Sequence, residues 1–529
     1  MKKIYINVFL YSIILFTIYS AVIIGFSWDE GAVITIAKLR LKYLLSFGVN
    51  DYESLWFSRH YPGTYPVIAI FITQLFTKSY EIEVLHILNS FVGISAIFGI
   101  SKITGRLFNK KVGKIVFLLC FLNPVFFGHM AMNERDLVIA FCNIWMSYTL
   151  IKYFKYQYIK EKRNKFIIVL GILLGLGSSC RISFFATVIP IFIFLIIDSL
   201  YVKKICREKF FIKKILRDIL VSFLIAYFVL IVFWPEVYPN ILILPFTSFY
   251  ETLNLSFWGV KNGLINGVFY DTFHPPANYI LILLFYKLPE YFILSYALFL
   301  IIIIKNSDFL KKCFVNFYYK ITLLFLIIIF PNILLLISPY PAYDNLRLFL
   351  FLIPYLSIIP GIVIFYLLEN FKFKLNKMIA VTLSILFIYC IYSFFSLTPY
   401  QYTYLNILSG KFSESHKKFE SDYWATSIKE LLKKTSFNKK DQIKLALCGM
   451  PKGRVKYYLK KFDMKNVKVV SQTDKYDYIM MTNRVYMGSE NLSLNDKNLK
   501  ICFDQFPGKT ISSVKRKGLT ISLIRSNIL

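Results

Sequence analysis

Two adjacent carboxylates follow the first long apolar segment of the chain. Asp29 and Glu30 come soon after an apolar run that covers residues 5–26. Charged groups beside a bilayer are costly and tend to be functional. A carboxylate in this position can accept the proton of a hydroxyl that attacks a sugar carbon, while its neighbour binds a cation or orients it. The alternative interpretation is an acidic pair that only marks the end of a helix.

A second group of charges lies between two later apolar runs. The connection from Gly128 to Asp136 is short, yet its last three residues are Glu134, Arg135 and Asp136. A turn of this length needs no charges, which favours a functional role for them beside the lipid. Capping of the next helix by Asp136 explains that residue equally well.

Two arginines lie where the chain is otherwise apolar. Arg181 interrupts the apolar stretch 166–200, so we expect it to face the protein interior or a phosphate. Arg347 opens another apolar run, after Tyr343 and Asp344. It can pair with Asp344 or bind a lipid-linked phosphate through two parallel hydrogen bonds, and we favour the phosphate.

The loop 236–277 supplies two further candidates. Lys261 and His274 are the residues there that can contact phosphate or sugar. The Trp residues of the loop also fit the aromatic belt of a membrane interface. Metal-ligand spacing such as H-E-x-x-H does not occur in the sequence, so we predict no metal site from a motif.

The composition indicates what must position these residues. Of the 529 residues, 57% are hydrophobic, 53 are Phe and 38 are Tyr, and the mean hydropathy is +0.56. A soluble chain of this length would be less apolar. The net charge of +32 would suggest nucleic acid for a soluble protein, but the basic residues cluster between apolar segments, where they set membrane orientation. We therefore predict a polytopic helical membrane protein that does not bind nucleic acid.

About eleven apolar segments approach the roughly 20 residues that a membrane-spanning helix needs. They cover residues 5–26, 81–101, 112–128, 137–153, 166–180, 182–200, 218–235, 278–304, 320–338, 347–368 and 378–397. Every second connection is basic, which places the N-terminus in the cytoplasm and the acidic and aromatic motifs outside. An odd number of spans places the C-terminal tail outside as well, and we expect the first helix to remain uncleaved.

The chain changes character near residue 400. Residues 1–400 form the predicted membrane domain, and residues 401–529 form a predicted small extracytoplasmic α/β domain. The predicted elements of this tail are a helix over 424–434, strands over 442–448, 467–471 and 476–481, and a hairpin over 511–524. The aromatic segments 398–406 and 419–424 either stack on sugar rings or dock the tail, and we favour docking. Cys448 and Cys502 can pair if the tail is exported.

These motifs, in this order, resemble those of the C-type membrane glycosyltransferases. The most similar group is the bacterial branch related to protein O-mannosyltransferases, glycosyltransferase family 39. Asp29-Glu30 is similar to the family's Asp-Glu motif in the first outer loop. The other similar segments are 128–136 (Gly-His…Asn-Pro-Lys-Asp in the family), 343–348 (Tyr-Asp-Gly-x-Arg-His), 398–406 (His-Pro-Tyr…Tyr-Phe-Asn) and 422–425 (Asp-Tyr-Trp-Gly). The sequence departs from these patterns at Glu134, Arg135, Leu348, Thr398 and Ala425.

The resemblance implies a mainly α fold, a polytopic transmembrane bundle with a small α/β C-terminal domain, and a transferase mechanism. The donor would be a sugar on a polyprenyl phosphate. Asp29 would act as the base on an acceptor hydroxyl, and the product would have the inverted anomeric configuration. Asp136 would position the acceptor or share a divalent cation with Asp29. No nucleotide or other cofactor is implied.

The resemblance also implies which cations act on the leaving phosphate. Arg347 and Arg181, with Arg135 or Lys261, would stabilise the charge that grows on its oxygens. The acceptor stays open between a lipid, a glycan and a protein, on the outer face of a bacterial inner membrane. Two other classes remain: a polysaccharide polymerase or ligase, and a transporter of lipid-linked sugars. A transporter is expected to place charges at the bilayer midplane, where Arg181 is the nearest candidate.

Overall fold

Helices dominate the part of the chain that the structure describes. The computed structural model describes residues 2–50, 52, 55, 58–205, 212–254, 261–337, 340–437, 442–486 and 499–527. The helices before the tail are α1 Lys2–Ile23, α2 Glu30–Leu45, α3 Thr64–Thr73, α4 Glu81–Leu107, α5 Lys110–Phe121, α6 Pro124–His129, α7 Glu134–Tyr156, α8 Lys160–Cys180, α9 Ile189–Ile197, α10 Ile212–Ile231, α11 Leu244–Asn254, α12 Tyr279–Lys287, α13 Glu290–Lys305, α14 Ser307–Cys313, α15 Phe317–Ile337, α16 Leu352–Leu356, α17 Ile358–Glu369 and α18 Lys374–Ser396. The predicted mainly α fold is confirmed.

The candidate membrane spans among the described residues are the helices that are long and apolar enough to cross a bilayer. Among the described residues, seven helices are long and apolar enough, and the bent pair α12–α13, with 109° between its halves, would make eight. The predicted span 112–128 is broken because Asn123 caps α6, its side chain accepting a hydrogen bond from the Phe126 amide with Pro124 next in the chain. The helix predicted over 218–235 begins earlier, at Ile212, and carries charged residues in its first turns.

The tail contains a five-stranded mixed sheet. Its strands are β3 Ile443–Cys448, β4 Val467–Val469, β5 Tyr478–Thr482, β6 Lys509–Arg516 and β7 Leu519–Ser526, after a separate hairpin of β1 Asn262–Ile265 and β2 Val268–Asp271. The strand order is β4-β3-β5-β7-β6. The first three strands pair in parallel and the last two pair antiparallel. The predicted strands and terminal hairpin therefore form within a few residues of their expected bounds.

The described part of the tail also contains three short α-helices. They are α19 Ile428–Lys434, α20 Lys452–Lys461 and α21 Cys502–Gln505. A disulfide joins Cys448, at the end of β3, to Cys502, at the start of α21. The bond therefore ties an inner strand of the sheet, next to the edge strand β4, to the segment that precedes the terminal hairpin.

The tail packs directly on the first helices of the membrane part. One buried apolar cluster contains Ile34 and Val67 from the N-terminal region together with Tyr402, Trp424 and Val455 from the tail. The Phe26 amide donates to the Tyr458 hydroxyl at 2.7 Å. Docking therefore explains the aromatic residues at the start of the tail, and the domain boundary at residue 400 stays a prediction because the two parts share a core.

Candidate active site

The guanidinium of Arg347 lies at the centre of three carboxylates. Its Nη1 is 2.7 Å from Oδ2 of Asp344, its Nη2 is 3.0 Å from Oδ2 of Asp29, and its Nε is 3.5 Å from Oδ2 of Asp136. Only 5% of the Arg347 side chain is exposed. These are four of the residues that the sequence singles out, and they come from three separate parts of the chain.

Backbone geometry and stacking aim Arg347 into this cluster. Asp344 and Asn345 have φ values of 56° and 59°, a left-handed conformation that Asp and Asn tolerate better than most residues. The chain thus turns sharply before the short 3₁₀ helix that begins at Arg347. The guanidinium carbon lies 5.0 Å from the ring centre of Tyr343 and 4.5 Å from that of Trp424, so two aromatic faces fix its plane.

Asp29 is ionised and partly open to solvent. It directly precedes α2, yet its side chain makes no capping hydrogen bond to that helix, so the carboxylate is available to Arg347. Burial acts to raise the pKa of the Asp29 carboxyl, but nearby guanidinium groups, foremost that of Arg347, outweigh burial and lower the pKa below its usual value. Because 30% of its side chain is exposed, the charged Asp29 carboxylate can be reached from solvent.

Asp136 is held by two arginines and does not cap its helix. The cap of α7 is Asn133, whose side-chain oxygen accepts from the Asp136 amide at 3.3 Å. The Asp136 carboxylate is thereby left for Nε of Arg181 at 3.1 Å and for Arg347. The capping alternative for Asp136 is wrong, since the sequence offers Asn133 for that role three residues earlier.

Two arginines keep donors that carboxylates do not occupy. Arg181 uses only its Nε on Asp136, its side chain is 27% exposed, and its terminal nitrogens have no hydrogen bond to any of the residues described. Arg135 lies with its guanidinium carbon 4.2 Å from the ring centre of Tyr61 and forms no salt bridge within the described ranges. Arg181 touches the cluster through Asp136, Arg135 is the chain neighbour of Asp136, and the charges of both lower the pKa of the Asp29 carboxyl.

The tail contributes an arginine that the motifs do not indicate. Arg484 donates through Nη2 to Oδ1 of Asp344 at 2.9 Å and through Nη1 to the Tyr423 carbonyl at 2.6 Å. Its guanidinium carbon also lies 5.0 Å from the ring centre of Trp28. A single basic residue in a basic tail gives no local signal, so only the fold could reveal that Arg484 reaches the site.

A second tail arginine holds the backbone before Asp29. Arg454 donates to the carbonyls of Ser27 at 3.1 Å and Trp28 at 3.3 Å. The Trp28 amide donates to the Trp424 carbonyl at 2.9 Å. Residues of the tail therefore hydrogen-bond to both the backbone carbonyls and the backbone amide of the segment that precedes Asp29.

Glu30 is fully buried behind Asp29. Its Oε1 lies 2.7 Å from Nε2 of His86, and its Oε2 accepts from the Ser27 amide at 2.5 Å. No part of its side chain is exposed. In this arrangement Glu30 orients the turn that holds Asp29, which is one of the two roles expected for the second carboxylate.

Lys261 and His274 lie on the hairpin region and do not join the carboxylate cluster. Lys261 is exposed, and its carbonyl accepts from the Thr272 amide at 3.0 Å. His274 is 82% exposed and pairs with Asp271 at 2.9 Å. The Thr272 carbonyl accepts from the Ala342 amide, so the hairpin borders the segment that leads to Arg347. Residues 258–260 lie outside the described ranges.

The Gly-His motif at 128–129 is a packing device. A Cβ on Gly128 would lie 2.1 Å from the backbone nitrogen of Tyr402, so only glycine permits this approach. Nε2 of His129 is 2.9 Å from the Tyr423 hydroxyl. Burial lowers the pKa of His129 to about 3, which keeps its ring neutral. These contacts join the 128–136 motif to the aromatic motifs of the tail.

The three aspartates have a cationic side chain between them. Within the described ranges, no group of three or more His, Cys, Asp or Glu side chains is arranged to hold a metal ion. Arg347 lies in the space that the carboxylates of Asp29, Asp136 and Asp344 share. The divalent cation that the resemblance leaves open therefore stays a prediction.

Known proteins share both the fold and part of the sequence. Residues 61–238 match the family model described as dolichyl-phosphate-mannose-protein mannosyltransferase. The structure is similar to ArnT from Cupriavidus metallidurans bound to undecaprenyl phosphate, with a TM-score of 0.50, 10% identity and coverage of 99% of this chain and 98% of that chain. The apo form of the same protein gives a TM-score of 0.50 at 11% identity, with coverage of 100% of this chain and 98% of that chain. No curated protein sequence matches the chain.

A third solved structure has lower coverage. The archaeal oligosaccharyltransferase AglB from Archaeoglobus fulgidus, in complex with an inhibitory peptide and a dolichol-phosphate, gives a TM-score of 0.46 and 12% identity, with coverage of 89% of this chain and 69% of that chain.

The resemblance predicted from the motifs is confirmed. The fold is that of the C-type membrane glycosyltransferases, and the chain is a multi-pass membrane protein. The stretch that resembles the mannosyltransferase family contains Arg135, Asp136 and Arg181, whereas Asp29 and Arg347 lie on either side of it.

Proposed function

We propose that this chain transfers a sugar from a polyprenyl-phosphate carrier to an acceptor hydroxyl on the outer face of the membrane, with inversion at the anomeric carbon. One observation carries the proposal. The ionised, partly exposed carboxylate of Asp29 lies beside a cluster in which Arg181 and Arg135 have guanidinium donors left over. A base beside guanidinium donors that carboxylates do not use is what attack on a phosphate-linked sugar requires.

In the proposed reaction, the acceptor oxygen attacks C1 of the sugar while its proton moves to Asp29. The new bond joins the acceptor oxygen to C1, and the bond between C1 and the phosphate oxygen breaks. The electron pair of that bond stays on the polyprenyl phosphate. Because attack and departure occur on opposite faces of C1, a single displacement inverts the configuration.

We assign different roles to the three arginines. Each of the three guanidinium nitrogens of Arg347 faces a carboxylate, so we assign it the role of holding Asp29 and Asp136 in place and not the phosphate contact expected from the sequence. Arg181 offers its two terminal nitrogens to the phosphate, and Arg135 supplies a second cation nearby. Donors that are fixed before the reaction stabilise the charge of the leaving phosphate without reorganisation. Tyr343 and Asp344 act through Arg347, and Lys261 and His274 lie where a large acceptor could touch them.

Two observations support the donor class and the sidedness. The structure of ArnT matches this chain over 98% of the ArnT chain, and it was determined with undecaprenyl phosphate bound. Undecaprenyl phosphate is a polyprenyl phosphate. The disulfide between Cys448 and Cys502 is typical of an oxidising compartment, which supports an extracytoplasmic tail and a cytoplasmic N-terminus in a bacterial inner membrane. The acceptor is a lipid, a glycan or a protein with a free hydroxyl.

The test uses the purified full-length protein in detergent with a polyprenyl-phosphate-linked hexose or pentose. We expect release of free polyprenyl phosphate together with a product heavier by one sugar, both measured by mass spectrometry. Comparison of the cell envelope with and without the protein identifies the acceptor by the sugar-sized mass it loses. If sealed vesicles move lipid-linked sugar across the bilayer while no glycosidic product forms, the chain is a transporter and the proposal is wrong.

A further inference from the structure

A groove lies where the tail meets the membrane part, away from the carboxylate cluster. It has a volume of about 760 Å³ and runs between the end of α1, the start of α4 and the helices α19 and α20 of the tail. The α4 helix belongs to a candidate membrane span that begins at Lys78. The first turns of that span therefore mark one face of the bilayer, and the groove lies at the boundary between lipid and water.

The floor and the rim of this groove differ in chemistry. Val22 at the end of α1 and Phe76 before α4 line it, and these residues are 37% and 54% exposed. The rim carries four cations from the tail, namely Lys429, Lys433, Lys461 and Arg516. An apolar wall that continues into a basic edge is complementary to a molecule with an acyl chain and an anionic head group.

The acidic side chains of the groove do not balance its cations. Glu83 and Glu430 are the two carboxylates in the lining, against four cations. One oxygen of Glu83 is shared by Lys429 at 3.3 Å and Lys461 at 3.0 Å. Glu430 is likewise shared, by Arg516 at 2.6 Å and by Lys434 at 2.5 Å.

Two further observations favour an anionic ligand at the rim. Lys433 lies 5.6 Å from the ring centre of Phe462 and forms no salt bridge with any residue that the structure describes. Burial lowers the pKa of the Lys429 ammonium below its usual value even though Glu83 is adjacent. A second negative group between Lys429, Lys433 and Lys461 would offset that burial.

We infer that this groove binds an anionic phospholipid of the membrane, with its phosphate on the lysines of α19 and α20 and an acyl chain along Val22 and Phe76. The lipid would join the tail to the membrane part, because its phosphate contacts α19 and α20 while its acyl chain contacts α1 and the segment before α4. This binding does not depend on the transferase reaction, since neither Asp29 nor Arg347 lines the groove.

The experiment compares two lipids with the same acyl chains on the purified full-length protein. Native mass spectrometry counts the molecules of phosphatidylglycerol and of phosphatidylcholine retained as each is titrated in. The groove variant carries Lys433→Gln and Lys461→Gln. The matched control carries Lys456→Gln and Lys460→Gln, which remove the same charge from a different groove of the tail, beside β4.

We expect phosphatidylglycerol to be retained by the wild type and by the control, and to bind about fivefold more weakly for each groove lysine removed. Equal weakening in both variants would show only general attraction to a basic surface and would overturn the inference. Retention of phosphatidylcholine as strong as that of phosphatidylglycerol would overturn it too.

A second measurement uses the unaltered protein and so does not depend on how the variants fold. Phosphatidylglycerol with a photoreactive acyl chain is cross-linked to the wild type, and the labelled peptides are identified. We expect labels within residues 22–23 or 76–87, which form the apolar wall. Labels spread evenly over the exposed apolar helices, without enrichment in those segments, would contradict the proposed site.

Discussion

Asp29 and Arg347 are separated by 318 positions in the chain, and their side chains meet at 3.0 Å. The contact brings the start of α2 to the turn that precedes α16, at the surface on which the tail docks. A carboxylate that must act as a base needs a nearby cation to stay ionised, and Arg347 supplies it while Asp344 and Asp136 keep Arg347 itself balanced. The proposed base and the residues that hold it therefore form one connected cluster.

Replacement of Arg181 by Gln is expected to weaken binding of the lipid-linked donor. The terminal nitrogens of Arg181 are the donors that we assign to the phosphate, and loss of a charge-assisted contact costs about 1.5–3 kcal/mol. The KM for the donor should rise about 10-fold to 100-fold, measured with the purified protein at saturating acceptor. Arg217→Gln, at an exposed position on α10, is the control and should leave the donor KM unchanged. An unchanged KM in Arg181→Gln would remove that residue from the phosphate site.

Replacement of Arg484 by Lys is expected to lower kcat with little effect on the donor KM. Lysine cannot reach both Asp344 and the Tyr423 carbonyl as the planar guanidinium does. The turn that carries Arg347 would then shift, and misplacement of a catalytic group costs about 10-fold or more in rate. Arg525→Lys removes similar contacts to carbonyls elsewhere in the tail and serves as the control. If both variants lose activity equally, Arg484 has only a structural role.

The sequence was sufficient to predict much of the site because several of its residues are unusual where they stand. Arg181 interrupts an apolar stretch, and Arg347 opens another. A charge beside lipid needs a partner or a function, so a charged residue in an apolar stretch is by itself evidence for a functional site. The structure brings Arg181, Arg347, Asp29, Asp136 and Asp344 together.

The contributions of the tail could not be predicted in the same way. Arg484 and Arg454 stand among many basic residues of a soluble segment, where charge is ordinary. Their roles depend on how the sheet docks on the Asp29 segment, which is a matter of long-range packing. Two predicted spans also have other bounds in the structure, because hydropathy does not register the break at Asn123 or the charges at the start of α10.

The free energy of unfolding is expected to fall as the pH rises from about 4.5 to about 7, partly through Glu420. Burial raises the pKa of the Glu420 carboxyl from its usual 4.5 to about 7, against the opposing effect of Arg484. A raised pKa in the folded state means that the stabilising contribution is complete below 4.5 and is lost as the pH passes through 7. The loss is on the order of 1–3 kcal/mol.

Thermal unfolding in detergent at several pH values tests this contribution. Glu420→Gln should flatten the decrease between pH 4.5 and pH 7 and should be the more stable protein at pH 8. Glu414→Gln changes an exposed carboxylate of the tail and should follow the wild type. A variant at residue 420 that keeps the full pH dependence would show that another group causes it.

Gly128→Ala is expected to destabilise the contact between the membrane part and the tail. The added methyl group would lie 2.1 Å from the Tyr402 nitrogen, a backbone atom that cannot rotate away. Overpacking of this kind costs about 1–3 kcal/mol. Gly453→Ala is the matched control, because a Cβ at that position in α20 has nothing within 4 Å. It should leave the unfolding temperature unchanged or raise it slightly. Equal stability of the two variants would show that the Gly128 contact adapts.

The most direct test of the proposed mechanism is single-turnover transfer by Asp29→Asn, with donor binding measured in parallel. Asparagine keeps the size of the side chain but cannot accept the proton, so we expect donor binding to stay within a few fold of the wild type. Sugar transfer should fall by about 100-fold to 10,000-fold. Asp308→Asn, an exposed site on α14, should transfer at the normal rate. Wild-type transfer by Asp29→Asn would show that Asp29 is not the base and would contradict the account.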